Sequence, residues 1–192
     1  IMKAIIISGF LFDLSDNINP FLDKDTDLYI HTWNSSENLR WINKARRLKK
    51  YVNNFEIHIE DKKFDNKLFS YIYSTYKVVN NIKDLNQYEY IIKFKPNLDA
   101  IRIKYRLCLQ ESFNKAKVQT RPLLSDKNID DCFFGSIYYK TLDERLFTGF
   151  PKSFRKVFIM PENEFINKSK KLNEKLLEKY KDYEGSIFWT EL

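Results

Sequence analysis

Cysteine is nearly absent. Cys108 and Cys132 are the only two in 192 residues, and they form no Cys-x-x-Cys pair, which excludes a disulfide framework and a thiolate metal or redox motif and points to a reducing, cytoplasmic compartment. Glycine is scarce as well, four in all. None belongs to a Gly-x-Gly-x-x-Gly or P-loop pattern, so neither a dinucleotide fingerprint nor a Walker-type phosphate cradle is present. The chain also lacks a Gly-x-Ser-x-Gly elbow, a His-Glu-x-x-His pair and the kinase signatures. No apolar run approaches the length of a membrane span, and the longest, residues 4–12, is broken at Gly9 and stopped at Asp13. With no internal repeat, low-complexity linker or break in composition, a single core over residues 1–192 is expected.

What is present is a folded α/β pattern. Hydrophobic residues make up 43% and aromatics 16% of the chain, enough apolar surface to build a core and too much for a disordered chain. Short apolar runs at 3–8, 27–33, 55–59 and 88–95 read as strands. A helix capped by Ser35 or Ser36 is predicted to run to about residue 52, and a second over 66–81. The order strand, strand, helix, strand, helix, strand predicts a mostly parallel central sheet flanked by helices. Further on, an aromatic strand is expected around 133–136, a helix over 138–145, a strand over 156–160 and an amphipathic helix over 163–183, followed by a tail too apolar to stay in solvent.

Polar residues gather where these strands end. In open α/β sheets, ligands bind beyond the carboxyl ends of the strands. That places Ser8 and Gly9, then His31, Thr32 and Trp33, then Asn97 and Asp99 in one crevice. Trp33 either stacks on a base or caps the core, and His31 is either a base or a hydrogen-bonded structural residue. Lys93 and Lys95 alternate on one face of their strand. They are either buried against an anion or solvated on an edge strand, and the pattern alone leaves both open. Asn97 and Asp99 carry oxygen donors two residues apart, as a cation bridging a diphosphate requires, although an Asx turn after Pro96 gives the same spacing. Asp23, Asp25 and Asp27 lack the glycine and distal glutamate of a calcium loop and read as a polar turn.

Several of these segments together resemble the bacterial and viral glycosyltransferases related to the WavE lipopolysaccharide-synthesis proteins. The shared segments are Ser8-Gly9 ending the first strand, the run from Asp27 to Trp33, the run from Tyr90 to Leu98 and the run from Asp131 to Ser136, in that order, with Pro161-Glu162 as a weaker fifth. The resemblance implies a GT-A-like, Rossmann-like fold that binds a nucleotide-diphosphate sugar and transfers the sugar to a hydroxyl of a glycan or lipid-linked acceptor in polysaccharide biosynthesis, with peripheral membrane contact at that acceptor. It implies that Ser8, Gly9 and Thr32 hold the nucleotide. Lys93, Lys95 and Arg102 would neutralise the diphosphate, together with Mn2+ or Mg2+ on Asp99 and Asn97. Asp131, Glu162 and Glu184, in that order, are its candidate catalytic bases. Where the family has a pair of arginines and then an aspartate, this chain has Lys93, Lys95 and Asn97, and lysine offers a point charge in place of a planar fork.

The formal charge of +7 favours an anionic ligand without naming one. A basic nucleic-acid-binding module, carried by Arg40, Lys44, Arg46, Arg47, Lys49 and Lys50 and by the many tyrosines, is the competing class. A catalytically degenerate GT-A fold acting as a binding subunit is the third.

Overall fold

The computed structural model describes residues 2–97, 134–138, 141–183 and 185–192. Six strands form one sheet in the order β3-β2-β1-β4-β6-β5. The first four, β1 (Lys3–Ser8), β2 (Thr26–Trp33), β3 (Asn54–Glu60) and β4 (Tyr90–Phe94), are parallel to one another. The other two, β5 (Phe134–Tyr138) and β6 (Thr141–Gly149), form an antiparallel pair with each other, and β6 runs antiparallel to β4. The result is the mostly parallel, helix-flanked α/β sheet that the strand and helix order predicts.

Side chains along a strand alternate between its faces, and β1 shows why its run of isoleucines is needed. Ala4 and Ile6 enter one core with Trp33, Ile72, Tyr76 and Phe158, while Ile5 and Ile7 enter the opposite core with Leu28, Ile42, Leu48 and Phe94. A strand flanked by parallel neighbours and covered on both faces has no polar side, so every position from Ala4 to Ile7 is apolar until the crevice at Ser8. Helix α1 (Leu39–Arg46) covers the second face. Helices α2 (Lys67–Asn81), α3 (Pro151–Phe158), α4 (Glu162–Tyr180) and α5 (Gly185–Glu191) cover the first. Asn66 starts α2 by accepting the Phe69 N–H at 3.1 Å, which satisfies a donor that the first turn leaves open.

Three expectations change. The helix expected over 138–145 gives way to strand: Tyr138 ends β5 and β6 occupies Thr141–Gly149, because its backbone is paired by β4 and by β5, and lateral pairing overrides an ambiguous period. Residues 156–160 are not a strand. They lie mostly in α3, where Pro151 in the first turn pre-sets helical φ and Phe154 and Phe158, four apart, enter the core together. The helix expected from Ser35 to residue 52 is three pieces, a 3-10 turn at Ser36–Asn38, α1, and a 3-10 turn at Arg47–Tyr51; Leu39, expected on its apolar face, is 54% exposed. Ser35 does cap it, accepting the Asn38 N–H at 3.3 Å. Of the two alternatives left open for β4, burial holds: β4 is internal, and Lys93 is fully buried, not solvated at an edge.

Asp23 and Asp27, on either side of the start of β2, are structural. Asp23 accepts from Thr26 and pairs with Lys3 at 2.7 Å, while the buried Asp27 carboxylate accepts from the Tyr88 hydroxyl, the Asn54 N–H and the Asn53 amide. All of this happens at the amino end of the sheet, away from the crevice.

The helical assignment of α3 predicts that Phe158→Ala, which empties a site packed by Phe154, Phe165 and Trp189, destabilises the fold by about 3–5 kcal/mol. The exposed neighbour Ile159→Ala should change stability by less than about 0.5 kcal/mol. Urea denaturation of the two variants checks this, and equal losses would contradict the placement.

Candidate functional site

The strand order reverses beside β1. The chain steps outward from β1 to β2 to β3, then returns to lay β4 on the other side of β1. The carboxyl ends of β1 and β4 therefore diverge into loops on opposite sides, which opens a crevice between them. A cleft of about 580 Å³ lies there. Ser8, Gly9, Phe10 and Phe12 line it from β1, and Lys95, Pro96 and Asn97 from β4. The far wall is Lys62, Lys67, Leu68, Ser70 and Tyr71 from α2 and the segment before it, and Tyr183 and Gly185 close the C-terminal side. The described lining contains three lysines and no carboxylate.

Gly9 shapes the floor. Its φ is +93°, a conformation that a side chain makes costly, and a β-carbon there would sit 2.9 Å from Tyr71 Cδ2. Its polar atoms are held on every side. The N–H donates to Ser74 Oγ at 2.7 Å and to the His31 carbonyl at 3.1 Å, and its own carbonyl accepts from Thr32 Oγ1 at 2.7 Å. Asn38, fully buried, continues the clamp: Oδ1 accepts the Leu11 N–H at 2.9 Å, and Nδ2 donates to Thr32 Oγ1 and to the Trp33 carbonyl, each at 2.8 Å. Ser15 N–H then reaches the Pro96 carbonyl at 2.9 Å, tying the loop after β1 to the end of β4.

These bonds decide what the expected residues do. Ser8 and Thr32 are fully buried, and their hydroxyls are engaged internally. Thr75 donates to the Tyr71 carbonyl at 3.2 Å, which leaves Ser8 as the donor in the 2.6 Å Ser8–Thr75 contact. Trp33 is buried against Tyr73, nearly coplanar at 6.1 Å, although it also touches the cleft; its indole N–H has no hydrogen-bond partner among the described residues. His31 lies behind the cleft, not in it, with Nδ1 2.8 Å from Ser74 Oγ and Nε2 3.5 Å from Glu60. Ser74 Oγ donates to the His31 carbonyl at 3.0 Å, which leaves His31 Nδ1–H as the donor in its contact with Ser74. Burial of the ring pushes it down to about 4, with Glu60 opposing.

Lys93 and Lys95 do share a face. Their ammonium groups lie 3.9 and 5.6 Å from the centroid of the Tyr71 ring, Lys93 enclosed and Lys95 at the cleft. Asn97 is exposed at the rim. Glu162 sits in the first turn of α4, outside the cleft, where it accepts from the Tyr73 hydroxyl and pairs with Lys63 at 3.3 Å. The Tyr73 bond and that ammonium hold its carboxyl below the ordinary range. Asp99, Arg102, Asp131 and Glu184 lie outside the described residues.

Five contributors escape the strand-end reading: Tyr71, Ser74, Asn38, Lys62 and Lys67. A signal existed for one of them, because Ser70 and Ser74 stand four apart on an otherwise apolar helix, as where a helix backbone approaches a strand closely. Of the tyrosines counted toward nucleic-acid binding, Tyr29, Tyr73, Tyr76 and Tyr88 are buried.

This geometry defines an anion-accepting crevice at the carboxyl edge of an α/β sheet. No protein-family model matches the chain, and no curated protein matches it at a significant level. Among solved structures it is similar to the glycosyltransferase GlyE of Streptococcus pneumoniae, at 8% identity and a TM-score of 0.46 over 98% of this chain and 43% of that one. It is similar to the apo form of GlyE at 8% and 0.45, and to apo mouse xyloside xylosyltransferase 1 at 10% and 0.39, over 79% of that chain. The chain spans less than half the length of the GlyE structures.

Two outcomes follow from the clamp. As pH falls from about 6.5 to 4, the unfolded chain takes up a proton on His31 that the folded chain refuses, so stability falls across that window by roughly 3 kcal/mol. Denaturation curves at several pH values should show a shallower fall in His31→Gln, and parallel curves would refute the assignment. Gly9→Ala, strained in φ and against Tyr71, should lower stability by about 2–4 kcal/mol, measurable by the same method.

Proposed function

We propose that the cleft binds a nucleotide-diphosphate sugar and that the protein is a glycosyltransferase, passing the sugar to a hydroxyl of a glycan or lipid-linked acceptor. The observation that carries this reading is the position and charge of the cleft: it opens at the reversal point of the sheet, and its described lining carries Lys62, Lys67 and Lys95 with no carboxylate. The ordered strand-end segments shared with the WavE-related transferases support it, and GT-A-like describes the fold in those terms. Charge builds on the leaving diphosphate as its bond to the sugar breaks, and ammonium groups already in place stabilise it without reorganising. Phe10 and Phe12, stacked at 4.9 Å, offer a flat apolar surface.

Mn2+ or Mg2+ on Asp99 and Asn97 belongs to the same proposal. Among the described residues no group of three His, Cys, Asp or Glu side chains comes together, and Asn97 by itself supplies one neutral oxygen. In this proposal the lysines, with Arg102 as a further cation, also carry leaving-group charge. For the acceptor proton, Asp131, Glu162 and Glu184 are the carboxylate candidates, and Glu162 is the one already committed to Tyr73 and Lys63. Contact with a membrane surface goes with a lipid-linked acceptor; no helix among the described residues is long and apolar enough to cross a membrane.

A thermal-shift screen against UDP, GDP, CMP and their sugars, with and without Mn2+, tests the reading. One nucleotide class at a hundredfold excess over Kd should add about 2.7 kcal/mol and raise the midpoint by roughly 5–10 °C. Lys95→Ala should weaken that ligand about tenfold or more. No response to any nucleotide, with salt-sensitive binding of DNA or RNA, would overturn the proposal in favour of the nucleic-acid module. A nucleotide response without sugar transfer to any saccharide acceptor would favour the degenerate binding subunit.

A further inference from the structure

Among the described residues, Tyr71 is the one phenol that lines the cleft beside a buried cation. It projects from α2 against Gly9, is partly exposed, and its hydroxyl accepts a hydrogen bond from Lys93 Nζ. Lys93 is fully buried in an aromatic box, its ammonium 3.9 Å from the Tyr71 ring centroid, 4.5 Å from that of Trp189 and 5.3 Å from that of Phe147. Ring faces on three sides favour the charged ammonium over the neutral amine. A phenol oxygen that accepts from an ammonium is in turn stabilised as phenolate.

Among the described residues, the lysines beside this pair act in the same direction. Lys95, on the same face of β4, has its ammonium 5.6 Å from the ring centroid, and Lys67, one turn earlier on α2, lines the cleft with Lys62. On α5, packed against Tyr71 through Trp189, Glu191 faces a separate groove with Lys168, Lys171 and Lys175. From β1 the neighbour is Gly9, which carries no charge.

We propose that Tyr71 is the proton-accepting residue of the cleft and that Lys93 is the positioning residue that holds it ready as phenolate. In a sugar transfer the phenolate oxygen takes the proton of the acceptor hydroxyl. That hydroxyl oxygen forms the bond to the anomeric carbon, and the bond from that carbon to the diphosphate breaks with its electron pair leaving on the diphosphate. The phenol then returns its proton to water. The identity of the proton donor rests on the transferase reading above; the poised phenol does not.

Spectrophotometric titration of the tyrosinate band in the whole protein tests this. Burial raises Tyr29, Tyr73, Tyr76, Tyr88, Tyr90 and Tyr183 above the ordinary range, which removes these six from the window in which Tyr71 should appear. In the wild type, one tyrosine equivalent should ionise at least about one pH unit below the ordinary value of about 10. The step should vanish in Tyr71→Phe and move up to the ordinary value in Lys93→Met. A wild type with no early step, or an early step that survives in Tyr71→Phe, overturns the assignment; should Lys93→Met fail to fold, that comparison decides alone. Because no nucleotide is needed, an early step without any nucleotide response upholds Tyr71 while the transferase reading falls, and a nucleotide response without an early step does the reverse.

Discussion

The close approach of α2 to the end of β1 is the constraint on which the cleft depends. Gly9 lies under the Tyr71 ring with no room for a β-carbon, and Ser74, one turn along the helix, accepts the Gly9 N–H. Because the helix can come so near, the loop after β1 is captured by hydrogen bonds from β2, α2 and Asn38, and the carboxyl edge of the sheet is left open on the β4 side. A bulkier residue at 9 would push α2 away, and with it the ring that roofs both lysines of β4.

The interior around that edge is unusually polar for a sheet so apolar elsewhere. Ser8, His31, Thr32, Asn38, Ser74, Thr75 and Lys93 are all buried, and unpaired groups at such depth would be strongly destabilising. They tolerate burial because they satisfy one another: Thr32 joins Gly9 to Asn38, Ser74 joins Gly9 to His31, and Ser8 and Thr75 join β1 to α2. The network spends its side-chain hydroxyls on rigidity, which leaves the cleft's own chemistry to the ammonium groups and to Tyr71. Residues that look like ligand contacts in a list of strand ends thus become the supports of a surface built from others.

Much of the scaffold was legible along the chain. The continuous isoleucines of β1, the polar stop at Ser8-Gly9 and the termination of β4 before Pro96 are local signals with local causes, and the first four strands fall where those signals lie. The misread segments share one feature: their short apolar patterns fit two periods. Thr141–Gly149 became a strand because β4 and β5 supply partners on both sides, and Pro151–Phe158 became a helix because Phe154 and Phe158 reach the core together. Neither circumstance is a property of the segment by itself.

The site divides in the same way. That chemistry belongs at the ends of β1 and β4 follows from the order of the strands and from the residues that interrupt them, and the alternation of Lys93 and Lys95 follows from the period of a strand. Sequence by itself therefore determined the class of the fold, the edge that carries the cleft and the sign of its charge. Only the tertiary structure decided that Lys93 is enclosed while Lys95 reaches the cleft, that Thr32 and Ser8 face inward, and that Tyr71 of a distant helix meets them. The physical reason is that burial, and the pairing of a buried charge with an aromatic box, depend on which elements pack together across the sheet, and that packing brings together residues that nothing in the local sequence connects.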